Sequence, residues 1–391
     1  MARRPRTEAL ATARPPDRRA RVAFAVSLVL IVVAFGSFAA LCAGLSGLDA
    51  LLSNPLVGLV SAFTAVACAL PYVALLLWLD RNEAEPLWLL ASALLWGAVL
   101  ATGWSLVVND TFGWLAGSVV ADPTLAAQLT ASISAPLVEE VTKGMALGVL
   151  YVLFKRHLDS VLDGVIYGAM IGIGFAIFEN FLYYARTDSV GGALALTAVR
   201  GVITAVGSHP AFTALTGLGV GLFRVARRGL WRWALPPFFL SLAIFAHFSW
   251  NTFTGLLMTR DGLVNLFVSL PLAVTLFQLP NVVLLAGVSV IASWHEARLI
   301  REWLRGEAVL APGELDQLLP WWRRSWRGVG LLARGQWGAW WAARRRYRLL
   351  VRLALERWHQ DREAAHDPGQ AQQHARSVLA LRAALRGDRA T

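Results

Sequence analysis

Three ionisable residues, Glu139, Glu140 and Lys143, stand within five positions at the start of a long apolar stretch. On insertion scales each such group costs about 2.5–3.5 kcal/mol near mid-bilayer. Helical spacing puts Glu139 and Lys143 on one face, with Glu140 beside them. Two acids and one base, partly desolvated and mutually paired, form a set able to move a proton. Lys143 is one of only two lysines in the chain, the other being Lys155. The plainer reading of the same residues is a capped helix start: Pro136 suits a first turn, and carboxylates there complement the helix dipole.

Three further apolar stretches carry polar groups. In Phe175-Ala-Ile-Phe-Glu179-Asn180, a carboxylate lies beside a ridge of Gly164, Gly168, Gly172 and Ala176 that allows close helix approach. Such a carboxylate needs a cation, a metal or a shared proton. In Ser208-His209-Pro210-Ala-Phe-Thr213, the proline starts or kinks a helix, and broken helices at membrane depth face cavities. Arg200, a few turns earlier, is placed to reach a substrate carbonyl or the carboxylates. In His247-Phe-Ser-Trp-Asn251, imidazole and amide share a face four residues apart. Two imidazoles and a carboxylate are a common catalytic zinc set with a position left for water, and a second carboxylate can act as base. The residues do not follow the short His-Glu-x-x-His pattern, so no local motif fixes the metal.

The elements that must position these residues are membrane helices. The chain has 391 residues, 57% hydrophobic and only 16% charged, against about 25% in a soluble protein. Eight spans are expected: Val22–Gly44, Val57–Leu79, Leu87–Val108, Ser134–Phe154, Leu162–Tyr184, Thr204–Phe223, Leu235–Leu257 and Leu276–Trp294. The fourth and sixth are the least apolar, as site-lining helices would be. The fold class is therefore all-α, a polytopic membrane bundle. The net charge of +11 reads as flanking arginine and contact with anionic lipid rather than nucleic-acid binding. Cys42 and Cys68 both fall in apolar runs and suggest neither a disulfide framework nor a cysteine metal site.

Basic clusters follow the fourth, sixth and eighth spans, while 109–133 holds no Lys or Arg. The positive-inside rule then places both termini in the cytoplasm, with 1–21 a basic tail, and the acidic loop 80–86 is the weak point of the pattern. On this topology Glu139, Glu140, Glu179, His209, His247 and Asn251 share the outer half of the membrane. Residues 295–391 form a separate cytoplasmic region of 18 Arg and 10 acidic residues with eight tryptophans, expected as amphipathic helices on the inner leaflet. Past Asp361 the chain reads as a lone helix or an unstructured tail.

Glu-Glu-x-x-Lys, Phe-x-x-x-Glu-Asn, His-Pro-x-Phe-Thr-x-x-Thr-Gly and His-x-x-Trp-Asn, in this order on successive spans, resemble the PrsW family of intramembrane proteases. That family belongs to a wider group with the CAAX prenyl proteases. The resemblance covers roughly residues 60–295. It implies a metal-dependent endopeptidase of bacterial membranes that cuts membrane-anchored substrates of the anti-sigma-factor kind. Carried over, Glu139 activates the water, Glu140 and Lys143 hold its geometry, Glu179, His209 and His247 bind Zn2+, and Asn251 donates to the oxyanion. CAAX-type relatives have a histidine where this chain has Glu179, which leaves open a glutamate-type water site without metal. The rival readings are an ion-coupled transporter using the same embedded groups, for which no inverted repeat is found, and an inactive scaffold.

Overall fold

The computed structural model describes residues 18–82, 84–155, 157–226, 229–257, 261–318, 321–364 and 368–387; the side chains of 18–35, 318, 321–322, 362–363 and 370 are outside that description. Most of the basic tail, Arg156, Arg227 and Arg228 therefore lie outside the described residues.

Among the described residues the chain is helical, without a strand. Helices α1 (Arg18–Ser53) and α2 (Pro55–Leu79) meet at Asn54, whose side chain caps the Val57 amide. Helix α3 (Leu87–Leu95) passes through a π-helical segment into α4 (Thr102–Val119). Helix α5 (Pro123–Leu129), capped by Asp122, runs through another into α6 (Ala135–Phe154). A Ser160–Asp163 capping box opens α7 (Val161–Ala185). Helix α8 (Val190–Leu196) winds into a π-helical stretch, Thr197–Ile203, before α9 (His209–Val225). Then come α10 (Leu235–Leu257) and a long kinked rod of α11 (Gly262–Val264), α12 (Leu270–Ala273) and α13 (Leu279–Leu304). The chain closes with α14 (Glu314–Leu318), α15 (Trp321–Ala333), α16 (Trp337–Ala364) and α17 (Pro368–Gly387).

Among the described residues six stretches are long and apolar enough to cross a membrane: Gly36–Ser53, Pro55–Leu79, Leu87–Val119, Val161–Ala185, Leu230–Leu257 and Gly262–Leu304. Helices α6 and α9, at the fourth and sixth expected spans, are not among them. They fall short because α6 carries Glu139, Glu140 and Lys143 and α9 has only 17 residues. The protein is an integral membrane helix bundle.

Two boundaries differ from the sequence reading. Stretch 109–133 is not a loop, since only 120–122 separate α4 from α5. Pro136 does not start a helix either, because α5 and α6 are continuous across it. Proline at 136 removes an amide and crowds the carbonyl four residues back. The helix widens just upstream, with a π segment at Thr130–Ser134. The same offset recurs where Asn265–Ser269 precedes Pro271 and Val274–Gln278 precedes Pro280. Glu139 and Glu140 are therefore mid-helix residues without a free helix terminus to complement.

Helix α7 is the axis of the bundle. On one face a Cβ at Gly172 would lie 2.3 Å from the His209 carbonyl of α9; on another, one at Gly174 would lie 1.9 Å from the Leu94 carbonyl of α3. Both contacts are backbone to backbone, so no larger residue fits. The main core, with Ile166, Ile171, Phe212 and Leu215, fills the surrounding space.

One end of the bundle, the lower end, gathers residues 80–82, 84–85, 157–163 and the C-terminal helices. Tyr167 donates to Glu85 (2.7 Å), Asn82 to the Ser293 carbonyl (3.2 Å), and His359 of α16 meets Asp159 (3.2 Å). Helices α16 and α17 bury Leu350, Leu353, Ala354, Val378 and Leu385 against Ile300 and Leu304 of α13. Arg382 and Arg357 both pair with Glu307 (2.6 and 2.7 Å). The expectation of a lone or unstructured tail past Asp361 is thus corrected: α17 has an apolar stripe that α16 covers.

Candidate active site

The site is built around Lys143, whose side chain has no exposed surface. Its ammonium lies 2.9 Å from Glu140 Oε1, 3.3 Å from Glu139 Oε2 and 3.0 Å from His209 Nδ1. The Phe175 ring closes the fourth side, 3.7 Å from Nζ. An ammonium has three protons and no lone pair, so all three donors are engaged and His209 Nδ1 must accept. The proton of His209 then sits on Nε2, which donates to Glu179 Oε2 at 2.8 Å. Glu179 also receives Arg200 Nη2 at 2.6 Å, while Arg200 Nε donates to Asn180 at 2.8 Å.

A second arm leads to α10. His247 Nδ1 lies 3.1 Å from Glu140 Oε1 and so carries its proton there, leaving Nε2 as the lone-pair nitrogen. Thr213 donates to the other oxygen of Glu140 at 3.1 Å. The His247 ring stacks on Phe212 with centroids 5.0 Å apart. Helices α6, α7, α9 and α10 and the π-helical stretch before α9 thus each contribute. Three carboxylates (Glu139, Glu140, Glu179) and two basic side chains (Lys143, Arg200) share one connected network.

The three carboxylates are not equivalent. Glu140 has both oxygens engaged and Glu179 holds a guanidinium and an imidazole. Glu139 has only long contacts, to Lys143 at 3.3 Å and His209 Nδ1 at 3.8 Å, both on Oε2, and it lines a cavity of about 880 Å³. That cavity runs from Gly117 and Pro123 at the rim to His247 at depth, passing Asn109 and Arg200.

Six sequence-nominated residues meet in one network: Glu139, Glu140, Lys143, Glu179, His209 and His247. Asn251 stands on the cavity wall one turn from His247, and one of its amide protons goes to the Ala131 carbonyl at 2.8 Å. The group able to offer three ligand atoms within 4.8 Å of one another is Glu139, His209 and His247; Glu179 is not in it. Two imidazoles and a carboxylate suit Zn2+ chemically. Both ring nitrogens of His209 are already engaged, so its use as a ligand requires one of those contacts to be exchanged.

Two features escaped the sequence reading. Phe175 stands in the sequence as one letter of the Phe-x-x-x-Glu-Asn motif, yet it caps the buried ammonium. Thr102, Ser105 and Asn109 line the cavity from α4; their three- and four-residue spacing in an apolar run was a legible signal.

A buried polar cage within an apolar helix bundle, beside a cavity, is an arrangement that a membrane-embedded enzyme can use. Residues 85–284 match the family described as PrsW family intramembrane metalloprotease. The chain is 32% identical over 201 residues to Protease PrsW of Geobacillus kaustophilus (strain HTA426), an alignment covering 48% of this chain and 82% of that one. No solved structure matches. The chain belongs to the PrsW family and is a membrane peptidase.

Proposed function

We propose that the protein is an intramembrane endopeptidase that hydrolyses peptide bonds of membrane-anchored proteins, such as anti-sigma-factor-like substrates, with Glu139 as general base. The observation that carries this reading is the state of Glu139: it is buried, lines the cavity and is held only by long contacts, while Glu140 has both oxygens hydrogen-bonded and Glu179 holds a guanidinium and an imidazole at short range. Glu139 takes a proton from a water held in the cage as that water attacks the substrate carbonyl, and returns it to the leaving nitrogen. Glu140 and Lys143 fix the position of Glu139 and balance its charge. The second amide proton of Asn251 donates to the oxyanion.

A second reading makes the enzyme metal-dependent, and the Glu139, His209 and His247 trio favours it. Those three residues, with Glu179 next to His209, would hold Zn2+, which supplies Lewis-acid activation of water. The residue roles of Glu140 and Lys143 as orienting groups are common to both readings.

The arginines near the lower end support an orientation with both termini in the cytoplasm of a bacterial plasma membrane. The cavity rim, at the opposite end, then opens outward, suiting cleavage of single-pass substrates on their extracytoplasmic side. Anionic lipid at the basic C-terminal region is the second partner.

The test is cleavage of a co-expressed single-pass substrate by wild type and by Glu139→Gln. Cleavage by both alike overturns the assignment. Metal analysis of purified wild type and the His209→Ala/His247→Ala double variant separates the two readings. Stoichiometric zinc lost in the variant supports the metal site, and an equal, negligible content in both supports the glutamate–water site.

A further inference from the structure

Resting on the lipid contact and orientation of the proposed function, we propose that α15 and the first turns of α16 form an interfacial platform that docks on anionic lipid headgroups beside the lower ends of the spans. Between residues 321 and 348 there are eight arginines and no acidic residue. On α15, Trp326 and Val329 are three apart on one face and are 71% and 54% exposed; on α16, Trp337 and Trp341 are four apart and 61% and 56% exposed. Large aromatic side chains left to solvent beside arginines are the composition of a helix lying at a membrane–water boundary.

Position supports the same conclusion. Arg324 of α15 donates to the Arg81 carbonyl at 3.3 Å, and Arg81 donates to the Trp78 carbonyl in the last turn of α2. This ties α15 to the mouth of a membrane span, at the level where headgroups begin. Arg324 also lies 3.9 Å from the centre of the Tyr347 ring, coupling α15 to α16. The opposite side of the region buries its apolar residues within the α13–α16–α17 core, so the exposed tryptophans are not the unfilled part of that core. Arg346 is paired with Glu314 and Arg324 with the Arg81 carbonyl, so the lipid-facing charge is that of Arg327, Arg334 and Arg344. The occupant is anionic phospholipid: the aromatic rings enter the headgroup layer and these guanidinium groups pair with phosphates.

The test uses the full chain with Cys42→Ala and Cys68→Ala, carrying an environment-sensitive fluorophore at Val329→Cys or, as control, at Leu379→Cys on the exposed face of α17. Protein is placed in nanodiscs of phosphatidylcholine alone or with a third of phosphatidylglycerol. In the anionic discs the 329 probe should shift to the blue and be quenched by headgroup-level nitroxide lipid several-fold more than the 379 probe. The difference should fall by more than half at raised salt and in Arg327→Gln/Arg334→Gln/Arg344→Gln. A 329 probe equally wet in both discs overturns the proposal. So does a probe already buried in lipid-free detergent, which would mean a second copy or a protein covers the face, or one displaced from anionic discs by RNA.

Discussion

Helix α7 carries a cluster of buried carboxylates at each end, and the two are built on different principles. Near its upper end Glu179 joins Glu139 and Glu140, and the groups that meet them include Lys143 and Arg200. At its lower end Asp163 joins Asp80 and Glu85. There Asp163 accepts from the backbone amides of Asp159 and Ser160, Asp80 from the amide of Glu85, and Glu85 from the Tyr167 hydroxyl. The upper cluster faces a cavity, whereas the lower one ties loop 80–86 to α7 and, through His157, to the end of α6. Burial of acids is common to both. Among the described residues, lysine and arginine partners and access for a substrate belong to the upper one, and those are what make a carboxylate useful for chemistry.

The sharpest way to break this contrast is to neutralise one acid in each cluster. Glu139→Gln should lower turnover by about a thousand-fold, within the range that general-base catalysis contributes. Glu85→Gln should leave turnover within about three-fold. Steady-state cleavage of a reconstituted substrate measures both, and a comparable loss at Glu85 would erase the distinction.

Lys143→Met probes the cations. It leaves Glu139 and Glu140 buried beside one another without their shared partner, which should destabilise the protein by about 3–5 kcal/mol. Adding Glu140→Gln should restore part of the melting temperature and none of the activity. At the lower end, Tyr167→Phe removes a neutral donor and should cost about 1–3 kcal/mol. Equal losses for Lys143→Met and Tyr167→Phe in thermal melts would deny the upper cluster its ionic character.

Gly172→Ala tests how the upper cluster is held in place. The added methyl would strike the His209 carbonyl, so α9 must move and take the imidazole with it. Turnover should fall about ten- to a hundred-fold, since displacements near 1 Å have effects of that size. Stability should fall by about 1–3 kcal/mol. Unchanged kinetics would show that α9 tolerates the shift.

The upper cluster was legible in the sequence because ionisable residues inside apolar runs are anomalous, and their helical spacing stated which faces met. The lower cluster was not. Asp80, Glu85 and Asp159 lie at helix ends, where charges are ordinary, and nothing local reveals that three connections fold back on them. The π-helical widening before Pro136, Pro271 and Pro280 was also hidden: each proline was visible, but whether a helix ends, kinks or widens there depends on neighbours that hold the flanking turns together. The packed C-terminal core was missed because its arginines dominate the composition while its apolar stripe is thin.

The smallest effect separates the clusters by pH. In the lower one, burial first, and then the nearby Asp163, pushes Glu85 up to about 9; burial, partly opposed by the hydrogen bond from the Glu85 amide, pushes Asp80 up to about 8. The groups around them are His157, Tyr167, Asp159, Asp163, Glu296 and Asn82. In the unfolded chain these two carboxyls ionise near 4, so between there and pH 8–9 the folded state holds protons the unfolded state has lost. Stability from this source is fully present at low pH and is lost as pH rises through the folded values, by at most about 1.4 kcal/mol per pH unit for each group. The melting temperature should therefore decline from pH 6 to pH 9, and Asp80→Asn/Glu85→Gln should flatten that decline. Melts that fall as steeply in the double variant would place the pH sensitivity elsewhere and leave the lower carboxyls no different from exposed ones.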